Sequence, residues 1–361
     1  MISSSQSSDD KNLLLIQLLR GIASLLVVFM HVTVNEKEIS HQFFLGDFFK
    51  FGGAGVDIFF VLSGFIITYT SRKGIGHFNK LLPFLRRRFV RIFPAYWIII
   101  GVFLLVQIVL PSFYKTPYIF TTENFLSTCF LLPGHTMVNG VSWTLTYELF
   151  FYALFSLAFF IPNKRIAFSL SILYGVVLVV IPLLGYHTAN GNYWMNLLVF
   201  PMNVEFIMGV LAAVIIPYLS KALSIPLVIT GSIIFLTSAI LSSQGFYLLA
   251  DSFNRVVLFG IPSFLLITGL VIYELSKNIT VHNVLLLLGE ASYSLYLLHL
   301  PLVVAGIRII ARFNIENNII LHGLLFVLIG IICFTSILFY QWVEKPLIRR
   351  LNGQYKKPAG E

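Results

Sequence analysis

Long apolar runs alternate with short polar connections from about residue 12 to residue 343. A run of this length with few charges reads as a transmembrane helix, because roughly 20 residues at 1.5 Å each cross the hydrocarbon core. Ten such runs are predicted, near 12–34, 43–70, 87–110, 142–161, 166–185, 195–217, 225–241, 254–274, 288–310 and 319–343. The connections carry helix breakers: Pro111, Pro117, Pro162-Asn163, Gly191-Asn192 and the stretch Asn314 to Asn318. No short-period repeat and no low-complexity core interrupt the pattern. The expected fold is an all-α polytopic membrane protein with about ten transmembrane helices in a single bundle. Its integral-membrane domain is placed at 12–350, with disordered tails at 1–11 and 351–361.

Composition narrows the class. Of 361 residues 58% are hydrophobic and 11% charged, where a soluble domain carries about 25% charged residues. The mean hydropathy is +0.89. The net charge of +9 does not indicate a nucleic-acid partner, because the cations punctuate the ends of apolar runs, where they set topology. Cys129 and Cys333 lie in apolar segments and form no disulfide framework or zinc spacing, so no metal is expected. The first run is interrupted by Arg20 and followed by no small-residue cleavage site, which reads as a retained helix and not a signal peptide.

Lysine and arginine orient the bundle. Arg72, Lys73, Lys80, Arg86, Arg87 and Arg88, then Lys164 and Arg165, Lys221, Lys277, and Lys345, Arg349, Arg350, Lys356 and Lys357 fall on one side of a ten-helix chain. The other side holds Lys37, Lys115, Arg312 and little else. Both termini are therefore expected in the cytoplasm.

Ionisable residues inside the apolar runs are the candidates for chemistry, since each is costly in a membrane. Arg20 and His31 are eleven residues apart, which on a helix places them on one face about 16 Å apart. Asp57 stands in Gly52-Gly53-Ala54-Gly55-Val56-Asp57-Ile58-Phe59-Phe60-Val61-Leu62-Ser63-Gly64-Phe65, where the glycines permit close helix approach. Asp57 needs a partner, and Arg20 is a candidate for a purely structural pair. Arg88 and Arg91 share a helical face at the cytoplasmic mouth. They serve either topology or a phosphorylated donor, which guanidinium forks grip bidentately. Glu148 enters an apolar helix behind Ser142-Trp143-Thr144-Leu145, at a predicted depth close to that of His31. Tyr293 and His299 sit in Ser292-Tyr293-Ser294-Leu295-Tyr296-Leu297-Leu298-His299-Leu300-Pro301, where a hydrogen-bonded structural histidine is the plainer reading. Pro301 frees a backbone carbonyl for polar neighbours. Glu344-Lys345-Pro346 reads as a helix end at the interface. His41, His77, His135, His187, His282 and His322 form no constellation.

Taken together these elements resemble the membrane acyltransferase-3 family, the bacterial sugar O-acyltransferases. The family's Arg, ten residues, His signature matches Arg20 and His31. Gly55 to Phe65 with Asp57 and Ser63 resembles its second-helix motif, and Arg88-Phe-Val-Arg91 its Arg-x-x-Arg element. Ser142-Trp143-Thr144-Leu145 with Glu148 resembles the fourth-helix motif, and Ser292 to Tyr296 with His299 the late-helix motif. The resemblance runs from about residue 12 to 350, and a stand-alone member without an appended domain is expected. It implies an O-acyltransferase of the bacterial inner membrane whose donor substrate is acetyl-CoA or another acyl-CoA, with no bound cofactor. The acceptor is implied to be a hydroxyl of a cell-envelope or lipid-linked glycan. In this reading His31 is the general base and Glu148 holds His31 or the sugar. Arg20, Arg88 and Arg91 take the donor, and Asp57, Ser63, Trp143, Tyr293 and His299 are motif residues of unassigned role. Transient acylation of His31 is a variant. Two readings compete: a proton-coupled transporter, and an acyltransferase acting on a lipid or peptidoglycan precursor. The acyl group, the glycan and the oligomeric state are not legible in the sequence.

Overall fold

The computed structural model describes residues 13–40, 45–110, 118–134, 136–184, 192–245 and 252–353. The expected N-terminal tail, most of the C-terminal one, Pro111, Pro117, Gly191, His41, His135 and His187 lie outside the described residues. Within them the secondary structure is helical, without strands. Ten segments are long and apolar enough to cross a membrane: Leu14–Lys37, Phe48–Ser71, Phe78–Val109, Gly140–Phe160, Lys164–Ile181, Tyr193–Tyr218, Lys221–Ser243, Phe253–Ser276, Ser292–Ala311 and Asn318–Leu351. They are called the first to tenth spans. Each overlaps one of the ten predicted runs. The cause is the solvent: with no water to receive backbone N–H and C=O groups, a single segment satisfies its own only as a helix.

Three boundaries differ from the apolar pattern. The third helix starts at Leu81, not residue 87, and runs 29 residues to Val109, about 43 Å. Its arginine-rich first turns extend beyond a 30 Å hydrocarbon core, so charge there does not stop the helix. The ninth run is two helices, Asn283–Glu290 and Ser292–Ala311, broken at Ala291. The tenth continues through a π-helical turn at Tyr340–Glu344 into Lys345–Leu351, so Glu344 lies within the helix rather than at its end.

Contacts between span ends show which ends share a face. Glu274, at the end of the eighth span, accepts hydrogen bonds from the backbone N–H groups of Leu14 and Leu15 at the start of the first. Arg86 Nη2 donates to Leu351 O at 2.7 Å, and Gly76 N to Ala158 O at 3.1 Å. The lysine- and arginine-rich connections therefore gather on one face. On the other, His322 at the start of the tenth span meets Glu36 at the end of the first at 3.6 Å.

The second span is the centre of the bundle. In its apolar window 78% of residues are buried within the protein, against 17% in the fifth span, which faces lipid. Lipid tails are as apolar as leucine, so helices gain contact by close approach at small residues. A Cβ on Gly64 would fall 2.0 Å from Phe206 O, and one on Gly209 2.0 Å from Val61 O. The second and sixth spans can cross this closely only at that glycine pair. Pro301, inside the ninth span, cannot donate to Leu297 O; Asn139 Nδ2 takes that carbonyl at 2.9 Å. The freed carbonyl expected from the sequence is thus satisfied by a buried amide.

Candidate active site

A cavity of about 190 Å³ lies among the first, second, third, fourth and ninth spans. Arg20, Ser63, Arg88, Arg91, Glu148, Tyr152, Ser292, Tyr293 and Tyr296 all contribute to its wall. Residues from five spans, as far apart in sequence as Arg20 and Tyr296, so converge on one space. The wall carries three guanidinium groups and one carboxylate, so the cavity is electropositive and suited to an anion.

Each arginine is held differently. Arg91 Nη1 donates to Glu344 Oε1 at 2.5 Å, and its guanidinium lies 5.2 Å from the centre of the Tyr293 ring. Glu344 is fully buried and also accepts from Ser294 Oγ. Arg88 sits over the Tyr152 and Phe84 rings, 5.3 and 5.5 Å from their centres. Its Nη2 donates to Thr70 Oγ1 at 3.1 Å, while its Nε is buried with no partner. Arg20 Nη1 donates only a long bond, 3.4 Å, to Gln17 Oε1. Two of the three forks therefore keep donors in reserve for a ligand. Glu148 accepts from Tyr152 Oη at 2.5 Å and from Ser63 Oγ at 3.5 Å. It belongs to the arginine cavity, and its partners do not include His31.

His31 stands one layer away, half-buried, against His299. His31 Nδ1 is 3.2 Å from His299 Nε2 and 3.0 Å from Val27 O. His299 is fully buried, and its Nδ1 lies 2.6 Å from Tyr296 O and 3.2 Å from Leu295 O. Tyr296, in the cavity wall, adjoins this pair: its ring centre is 5.6 Å from His299 and 5.9 Å from Phe59. Thr144 Oγ1 donates to the Tyr296 hydroxyl at 2.9 Å.

Asp57 is buried outside this cavity, and its partner is Arg255, not Arg20. Arg255 Nη2 donates to Asp57 Oδ2 at 2.5 Å and to Gly53 O at 3.0 Å. Glu205, fully buried, lies beside both, and neither of its oxygens meets a hydroxyl, amide or guanidinium donor. Arg255 immediately precedes a π-helical turn at Val256–Gly260, a local distortion frequent at functional sites. Trp143 packs edge-on against Phe60 and Tyr147 at 6.4 and 5.8 Å, at the rim of the fourth span. Tyr293 donates its hydroxyl to Ile92 O at 2.8 Å, fixing the third span to the ninth.

Sequence reasoning missed three of these groups. Glu344 reads as an interface residue because Lys345 follows it; the π-helical turn rotates it inward onto Arg91. Glu205, between Val204 and Phe206, carries the same signal that singles out Asp57. Arg255 opens an apolar run, where an arginine reads as a topology mark.

Comparison with known proteins identifies the family. The model of the acyltransferase domain family matches residues 14–340, which takes in the first nine spans and the tenth as far as Tyr340. The chain is 28% identical to the exopolysaccharide production protein ExoZ of Rhizobium meliloti (strain 1021) over 317 residues, 84% of this chain and 92% of that protein. It is 33% identical over 120 residues to nodulation protein 10 of Rhizobium leguminosarum bv. viciae, 28% of this chain and 32% of that one. No solved structure matches. The five motifs, the ten spans that carry them and the near-complete domain match converge: this chain belongs to the acyltransferase-3 family and is a membrane-embedded acyltransferase.

Proposed function

We propose that the protein transfers an acyl group, acetyl in the first instance, from cytoplasmic acyl-coenzyme A to a hydroxyl of a cell-envelope glycan. The observation that carries the reading is the cavity walled by Arg20, Arg88 and Arg91 with only Glu148 among them. It is electropositive, and it stands toward the face that gathers the lysines and arginines. By the positive-inside rule that face, with both termini, is cytoplasmic, and the membrane is the bacterial inner membrane. Ligand pockets for whole small molecules run about 300–1,000 Å³. A cavity of about 190 Å³ suits the thioester and the end of the pantetheine arm, with the nucleotide left at the basic mouth. The name of the rhizobial relative, an exopolysaccharide production protein, favours a glycan over a lipid acceptor.

The chemistry needs a base for the hydroxyl. His31 removes the hydroxyl proton, the oxygen attacks the thioester carbonyl carbon, and the carbon–sulfur bond breaks. The departing coenzyme A sulfur takes the proton back from His31. Glu148, held by Tyr152 and Ser63, accepts a hydrogen bond from donor or sugar and keeps it in the cavity. The test is a mass spectrum of envelope glycans from three strains: lacking the protein, carrying it, and carrying His31→Ala at equal level. An ester-sized gain with the unmodified protein alone is expected. No gain in any glycan fraction overturns the glycan assignment, and a gain that survives His31→Ala removes the base.

A further inference from the structure

We infer that His299 is a positioning residue that locks His31 with its proton on Nδ1, leaving His31 Nε2 as the atom that receives the substrate proton. The inference rests on the reading of His31 as the base. It follows from the donors and acceptors at the two rings.

A backbone carbonyl only accepts. His299 Nδ1, at 2.6 Å from Tyr296 O and 3.2 Å from Leu295 O, must therefore carry a hydrogen. His31 Nδ1 faces Val27 O at 3.0 Å and His299 Nε2 at 3.2 Å. If His299 Nε2 also carried a hydrogen, His31 Nδ1 would have to present a lone pair to both a hydrogen and a carbonyl oxygen. That arrangement sets lone pair against lone pair at Val27 O and adds a charge to a fully buried ring. The opposite assignment satisfies every contact. His31 Nδ1–H is shared between Val27 O and His299 Nε2, and His299 Nδ1–H is shared between Tyr296 O and Leu295 O. Each ring is then neutral with one tautomer. The free lone pair of the pair is on His31 Nε2, the atom that makes no protein hydrogen bond among the described contacts.

The arrangement does the work that a carboxylate does for the histidine of a hydrolase triad, where the partner holds one tautomer and steadies the imidazolium. Here the partner is an uncharged imidazole, anchored by its own helix through two carbonyls. That suits a site inside hydrocarbon, where a second buried carboxylate would need its own counter-charge. When Nε2 takes the hydroxyl proton, the resulting His31 cation still has Nδ1–H directed at Val27 O and His299 Nε2. Protonation therefore needs no rearrangement. A consequence is that His299 affects turnover and not capture of the donor, since it touches none of the cavity arginines.

The test uses the full-length protein in detergent or liposomes, with acetyl-CoA as donor and glycan acceptor from the host. His299→Leu keeps the bulk and removes the acceptor; His299→Gln places an amide oxygen near the position of Nε2. We expect His299→Leu to lower kcat by at least about 10²-fold, with the KM for acetyl-CoA within about threefold of the unmodified value. His299→Gln should recover at least about tenfold of that loss. Separately, ¹⁵N-histidine magnetic resonance of the unmodified protein, with the His31 signal identified by its absence in His31→Ala, should show Nδ1 protonated and Nε2 bare. Equal kcat in His299→Leu and the unmodified protein overturns the inference, as does a Gln variant no better than Leu. A His31 signal protonated at Nε2 overturns it without any activity measurement, even if His299→Leu fails to fold. Full activity in His31→Ala, by contrast, refutes the base itself and so the reading beneath.

Discussion

Replacing Glu344 by alanine tests the structure at a residue whose role is invisible in the sequence. Glu344 is fully buried and binds Arg91 at 2.5 Å and Ser294 Oγ. Removing it leaves the Arg91 guanidinium in the bundle beside Arg20 and Arg88, with Glu148 the one carboxylate on the cavity wall. Removing one partner of a buried pair costs about 3–5 kcal/mol, because the other charge is left uncompensated. For a chain of this size 1 kcal/mol moves the unfolding midpoint by about 2 °C, so Glu344→Ala should unfold about 6–10 °C lower. The assay is tryptophan fluorescence on heating in detergent. The companion variant Arg91→Met with Glu344→Met replaces the pair by apolar groups of similar bulk, an exchange that is often neutral in stability. It should unfold within about 3 °C of the unmodified protein and yet turn over no acyl-CoA, since Arg91 is a donor ligand in the proposal. A Glu344→Ala midpoint within about 2 °C of the unmodified one would refute the buried pair. A double variant as unstable as the single one would refute the argument from uncompensated charge, and an active double variant would remove Arg91 from the donor site.

Arg20→Ala and Arg88→Ala should each raise the KM for acyl-CoA about 10–100-fold, the worth of one charge-assisted hydrogen bond of about 1.5–3 kcal/mol; an unchanged KM in steady-state kinetics excludes the residue from the donor site. Gly64→Ala must push the second and sixth spans apart, its Cβ being 2.0 Å from Phe206 O. A loss of about 1–3 kcal/mol is expected, read as a lower unfolding midpoint, whereas Gly101→Ala and Gly330→Ala, with nothing within 4 Å, should match or exceed the unmodified protein. At the second charge cluster, Asp57→Asn should destabilise by removing the counter-charge of Arg255. Glu205→Gln should be neutral in stability, because neither Glu205 oxygen has a hydrogen-bond donor to lose. The reverse order of midpoints would show that Glu205, not Asp57, is the counter-charge.

The sequence by itself determined the number of spans, the face that gathers the basic connections and the family. Hydrocarbon admits one local solution for an apolar segment, and cations mark its ends, so both are readable along a single run of residues. It also marked Arg20, His31, Asp57 and Glu148 as ionisable residues among apolar neighbours, but not Glu205, Arg255 or Glu344. Only the tertiary structure decided the pairings. Arg20 faced Asp57 as plausibly as any other carboxylate until the crossing of the second, sixth and eighth spans gave Asp57 to Arg255. Glu148 and His31 share a predicted depth, yet the fourth span turns Glu148 toward the arginines, and the ninth brings His299 to His31. Glu344 became a ligand of Arg91 through one extra residue in a helical turn, which rotates every side chain beyond it and leaves no trace in hydropathy. Spacing along a helix fixes depth and face relative to that helix alone. Which helix lies opposite is set by where small residues such as Gly64 and Gly209 let two backbones meet, and that is a property of the packed bundle.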